Sequence, residues 1–132
     1  VDRERPKFAN DLGADLFISI HGNTYEDPGV SGTETYYYHE NSLSLADIMQ
    51  RHLVQASGFR DRGVKHEDCF VLKETDMPAA LIEMGYVTNP QEEKAMLTED
   101  VQSRSCFYSG GHKGVPKFKL REDNDPCIKK SF

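Results

Sequence analysis

Asp15-Leu-Phe-Ile-Ser-Ile-His21 is the stretch on which the fold turns. Leu16, Phe17, Ile18 and Ile20 form a nearly continuous apolar run between Gly13 and Gly22, the pattern of a strand covered on both faces. Such strands belong to mainly parallel sheets, so helices are expected on either side of it in the chain. Upstream, residues 2–12 read as a short helix with Pro6 in its first turn, Phe8, Ala9 and Leu12 on one face, and Gly13 as its stop. Downstream, residues 22–32 carry the turn signals Pro28-Gly29 and Ser31-Gly32. Residues 33–38 then alternate threonine and tyrosine with Glu34, which predicts a strand with one wetter face.

The clearest amphipathic helix lies between Asn41-Ser42 and Gly58, where Leu43, Leu45, Ala46, Ile48, Met49, Leu53 and Ala56 recur every three or four residues. Two further apolar stretches, 69–73 and 79–83, predict strands, the second entered through Pro78. Asn89-Pro90-Gln91-Glu92 supplies an asparagine cap, a proline suited to the first helical position and a glutamate placed to cap back, so a helix should begin at Pro90. Thr98-Glu99-Asp100 offers a second helix start. The expected fold is α/β: a twisted, mainly parallel sheet flanked by helices, in one domain.

The 132 residues suit one domain, and the net charge of −6 hides a split. Residues 1–100 hold 9 Lys/Arg against 19 Asp/Glu, whereas 101–132 hold 7 against 3. The acidic body argues against a nucleic-acid partner, because no basic stripe runs through it. No apolar run is long enough to span a bilayer, and the first residues have no signal-peptide pattern. Cys69, Cys106 and Cys127 form no CxxC pair, and their odd number leaves the redox compartment open.

No HExxH, Walker loop, GxGxxG or GxSxG occurs. Two residues stand out by position instead. His21 and Glu83 each close an apolar strand just before a glycine, Gly22 or Gly85, and ligands of open α/β sheets bind at the carboxyl ends of strands. On the residues alone His21 is a metal ligand or a structural histidine at a strand end. Glu83 is a functional carboxylate, an edge residue open to water, or one side of a salt bridge. Arg62, in Asp61-Arg-Gly63, either forms a local ion pair in a turn or clamps an anionic substrate. Tyr36-Tyr-Tyr38 reads as packing rather than a sugar platform, and Cys69 as a small buried side chain opening a strand.

Taken together, Gly13-Ala-Asp-Leu-Phe-Ile-Ser-Ile-His-Gly-Asn23, Gly32-Thr-Glu-Thr-Tyr-Tyr37, Asp61-Arg-Gly-Val-Lys65, Met77-Pro-Ala-Ala-Leu-Ile-Glu-Met-Gly-Tyr86 and Thr88-Asn-Pro90 closely resemble the zinc-dependent N-acetylmuramoyl-L-alanine amidases of the Amidase_3 type. The resemblance runs in order to about Arg104. It implies a peptidoglycan hydrolase, acting outside the cell or in its wall, that cleaves the amide between N-acetylmuramic acid and the L-alanine of the stem peptide. It places a zinc ligand on His21 and the catalytic carboxylate on Glu83, and suggests Asn23 and Arg62 as substrate or support residues. One Zn2+ per complete domain is implied, its other ligands falling upstream of the matching stretch. The chain is accordingly expected to lack the first strand and helix of the domain and to bind zinc weakly, and a non-catalytic peptidoglycan-binding remnant is the alternative. The amidase-like domain is expected over 1–104, with 105–132 a basic tail, expected to arise from a shifted frame or misjoined end.

Overall fold

The structure, a computed structural model, describes residues 3–105. The chain forms α1 (Glu4–Asp11), β1 (Phe17–Asn23), β2 (Thr33–Tyr37), α2 (Leu43–Ser57), β3 (Asp61–His66), α3 (Phe70–Lys73), β4 (Ala79–Tyr86), α4 (Pro90–Met96) and α5 (Glu99–Ser105). The four strands make one sheet in the order β1-β4-β2-β3. β1 runs parallel to β4 and β2 parallel to β3, while the central β2/β4 pair is antiparallel. Two of three pairings are therefore parallel, and the expected α/β class holds. The residues assigned to a tail, 105–132, lie almost wholly outside the described residues.

β4 is the spine of the sheet. All eight of its residues are buried, which follows from a sequence with no charge except Glu83 and from neighbours on both edges. Ile82 and Met84 pack with Met49 and Leu53 of α2 and Met96 of α4. Ala79 and Leu81, on the opposite face, pack with Tyr36, Cys69, Val71 and Leu72. Each fully buried Leu or Ile contributes about 1.5–3 kcal/mol, so these two clusters dominate the stability of the sheet. Gly85 is there because of packing: a Cβ would stand 2.9 Å from the Phe59 ring.

Several sequence expectations need correction. Residues 69–73 are not a strand. Cys69 is extended, and Phe70–Lys73 is one helical turn whose Leu72 and Lys73 amides donate to the Cys69 carbonyl. Its apolar residues are buried by lying over the sheet, a placement that hydrophobicity alone does not separate from lying in it. Conversely, Asp61-Arg-Gly63 opens β3, an edge strand without apolar alternation. The turn-like feature is real but local, with the Gly63 amide donating to Asp61 Oδ1 (2.8 Å) where the β2/β3 register shifts. β2 has no wet face along most of its length, because it lies between β4 and β3 beneath helices. In α1 the apolar face is not covered by the described residues: Ala9 is buried, but Phe8 and Leu12 are exposed.

α2 follows its period more closely, ending at Gly58 in the left-handed conformation (φ 72°). Its buried face includes one polar residue that hydrophobic spacing misses, Gln50. Gln50 Nε2 donates to the Thr33 carbonyl (2.8 Å) and Asp61 Oδ1 (2.7 Å), and its Oε1 accepts from the Thr35 hydroxyl (2.9 Å). One side chain thus pins the starts of β2 and β3 to the helix.

Candidate active site

His21 and Glu83 are direct neighbours. They are partners in the β1/β4 register, and Glu83 is also the partner of Glu34 in the β2/β4 register. Side chains opposite each other in register share a face, so His21, Glu83 and Glu34 form a row across three strands. Because β2 is antiparallel to β4, the row lies near the carboxyl ends of β1 and β4 and the amino end of β2. Glu34 and Glu83 are fully buried and His21 nearly so. His21 Nε2 lies 2.7 Å from the Ser19 hydroxyl, which steadies the ring.

The Glu34 carboxylate is well supplied with partners. Burying a charge is costly unless partners replace its water. Glu34 gathers several: Asn23 Nδ2 (3.2 Å) and the Tyr36 hydroxyl (2.7 Å) donate to its Oε1. Its Oε2 takes the Lys65 ammonium and lies 3.6 Å from Arg62 Nε. Lys65 and Arg62 both come from β3, so the edge strand supplies the cations that neutralise Glu34.

Asn23 is wholly buried and both ends of its amide are used, since its Oδ1 also accepts from the Thr24 amide (2.9 Å). It therefore orients the chain just after His21, where the β1/β4 register shifts. Across that shift β4 takes three steps while β1 takes two, which brings Tyr86 opposite Asn23 and onto the face of Glu83. The Tyr86 hydroxyl has no hydrogen-bond partner among the described residues. Burial and the neighbouring Glu34, Glu83 and Glu92 carboxylates push it up to about 12, against the opposing pull of the Arg62 guanidinium.

Arg62 is the most constrained cation here. Its guanidinium lies over the Tyr86 ring, 5.5 Å from the centroid, with Nε toward Glu34 and Nη1 donating to the Ser31 carbonyl (3.4 Å). It sits against Gly32, which has φ 122°, and a Cβ there would come within 2.7 Å of both the Arg60 carbonyl oxygen and Arg62 Cγ. Both oxygens of Glu92 accept from the Gly32 amide at 3.0 Å, and Oε1 also accepts from the Tyr86 amide (3.1 Å).

A family model described as N-acetylmuramoyl-L-alanine amidase, Amidase_3, matches residues 2–106. The chain belongs to that family. Among its relatives, the uncharacterized protein YqiI of Bacillus subtilis (strain 168) is 41% identical over 107 residues, covering 78% of this chain and 52% of YqiI. The probable cell wall amidase LytH of Staphylococcus aureus is 35% identical over 83 residues, covering 63% of this chain and 28% of LytH. The catalytic domain of CwlV, the N-acetylmuramoyl-L-alanine amidase of Bacillus (Paenibacillus) polymyxa var. colistinus, superposes with a TM-score of 0.77 at 39% identity, covering 80% of this chain and 59% of that domain. The chain thus spans about half the length of YqiI and less of LytH.

Amidase_3 membership brings the zinc expectation to the site. Among the described residues no group of three His, Cys, Asp or Glu side chains is placed to hold a metal ion. His21 offers one imidazole, and the carboxylate nearest the row's centre that is not Glu83 is committed to Lys65 and Arg62. These residues alone do not make the three-donor set that hydrolytic zinc requires. Of the residues found from sequence, His21 and Glu83 are brought together directly, and Asn23 and Arg62 are joined to them through Glu34. Glu34 was missed. A glutamate in a strand of threonines and tyrosines gives no sign of which strand it will face.

Proposed function

We propose that the chain carries the general-base part of a peptidoglycan amidase site, one that hydrolyses the amide between N-acetylmuramic acid and the L-alanine of the stem peptide. The observation that carries this is the in-register pair His21–Glu83 at adjacent strand ends, in a chain of the Amidase_3 family. Amide hydrolysis needs a group that takes a proton from the attacking water and returns one to the departing nitrogen, since an amide anion does not leave. Glu83 fills both roles: its carboxylate accepts the water proton as the C–O bond forms, and its carboxyl delivers it to the alanine nitrogen as the C–N bond breaks. His21, steadied by Ser19, occupies the position at which the family resemblance places a zinc ligand. Arg62 is the candidate for holding a carbonyl or carboxylate of the stem peptide, and Asn23 supports the loop after His21. Action at the cell wall follows from the substrate and accords with the name of LytH. No helix among the described residues is long and apolar enough to cross a membrane.

The test is to incubate the full chain with purified peptidoglycan and measure newly exposed L-alanine amino groups, beside Glu83→Gln and with added zinc or chelator. Release that falls away in the variant supports the assignment. Undiminished release by Glu83→Gln, or new reducing sugar ends in place of alanine amines, overturns it. Co-sedimentation with walls and no release at any zinc concentration identifies the binding remnant instead.

A further inference from the structure

We infer that Glu34 is a positioning residue of this site, holding Arg62 and Asn23 in place around Glu83; this rests on the amidase reading and extends it to a residue with no role so far. Glu34 touches or faces three of the other candidates, Asn23, Arg62 and Glu83. It accepts from Asn23 at 3.2 Å, pairs with Arg62 at 3.6 Å, and is the register partner of Glu83. Each oxygen has a separate duty. Oε1 takes the two neutral donors, Asn23 and Tyr36, and Oε2 takes the two cations, Lys65 and Arg62.

A fully buried carboxylate beside a second buried carboxylate is a poor choice for stability alone, because an apolar pair of similar volume would cost less. What the charge does is orient. Arg62 is 21% exposed and Lys65 39%, so both reach solvent while their charged ends are drawn toward the row. With Nε at Glu34, Nη1 at Ser31 and the plane over Tyr86, the Arg62 guanidinium has one geometry rather than many. That is the preorganisation a substrate-binding arginine needs.

Glu34→Gln separates the two duties, since the amide oxygen still accepts from Asn23 and Tyr36 but no longer holds the cations. In the full chain labelled with nitrogen-15, the Arg62 Nε–H resonance is expected to be dispersed and slow to exchange with water, and to collapse to the free-arginine position in Glu34→Gln while the Asn23 side-chain amide stays put. On peptidoglycan, Glu34→Gln is expected to raise KM about tenfold, the scale of one lost charge-pair contact in a partly buried site, with a smaller change in kcat. Arg62→Ala should raise KM equally, and the double variant no further, because both remove one interaction. An unmoved Arg62 resonance in Glu34→Gln overturns the positioning role. So do additive effects of the two substitutions, which would make Glu34 a structural ion pair only. A wild-type chain without turnover overturns the amidase reading separately, since the resonance still reports whether Glu34 holds Arg62.

Discussion

Glu83 and Glu34 are both glutamates, both fully buried and directly opposed on adjacent strands, yet only one was legible in the sequence. Glu83 ends a buried apolar run, and its charge in that place demands an explanation from the sequence itself. Glu34 alternates with threonines and tyrosines, where a charge is unremarkable until the sheet order sets β2 beside β4. The two should respond differently to removal of charge. Glu83→Gln is expected to lower alanine release by about 10²–10⁴-fold, the range for loss of a general acid–base, in initial-rate assays on variants shown by circular dichroism to be folded. Gly32 is a third informative position. At φ 122°, with a Cβ colliding with the Arg60 carbonyl and the Arg62 side chain, Gly32→Ala should destabilise the chain by about 1–3 kcal/mol in urea unfolding, from backbone strain alone. It should also free Arg62 from its seat, detectable as a KM increase resembling that of Arg62→Ala.

Among the elements, α4 shows how a local signal can be right in place and wrong in purpose. Asn89 caps the helix as its sequence predicts, its side chain accepting from the Gln91 and Glu92 amides (3.1 and 3.0 Å). Glu92, placed to cap back, instead leaves its own helix and binds the amides of Gly32 and Tyr86. Local spacing cannot reveal a partner 60 residues away. The physical weight follows the longer link. Asn89→Ala loses a cap and should cost about 1 kcal/mol. Glu92→Ala strands two buried amides, each worth about 1–3 kcal/mol, and should cost more than the cap by denaturant midpoint at neutral pH. The elements that went unread have the same origin. β3 has no apolar alternation because it is an edge strand. Residues 69–73 look like a strand because a helical turn lying on a sheet buries the same residue types as a strand within it.

For the molecule as a whole, the helix-and-sheet class was legible because β1 and β4 announce themselves, but the antiparallel join between β2 and β4 was not, since no short-range pattern encodes which strands pair. That join adds Glu34 to the Glu83 and Glu92 carboxylates already near Tyr86, and together with the burial of the hydroxyl this has a consequence for global stability. Folding raises the Tyr86 hydroxyl from its ordinary 10.0 to about 12. Below pH 10 the tyrosine is neutral in folded and unfolded chains alike, and its contribution to stability is fully present. Between the two values the unfolded chain releases this proton while the folded chain keeps it, so stability falls as pH rises through that window. Tyr86→Phe removes the titration but keeps the ring beneath Arg62. At neutral pH the variant should be as stable as the parent or slightly more so, because a buried hydroxyl without a partner among the described residues is no longer desolvated. Urea midpoints taken on either side of pH 10 should show the parent losing stability more steeply than Tyr86→Phe, the other tyrosines cancelling in the difference. Parallel curves would mean that neither burial nor the surrounding carboxylates hold the proton on Tyr86, and that its surroundings act on it more weakly than their geometry implies.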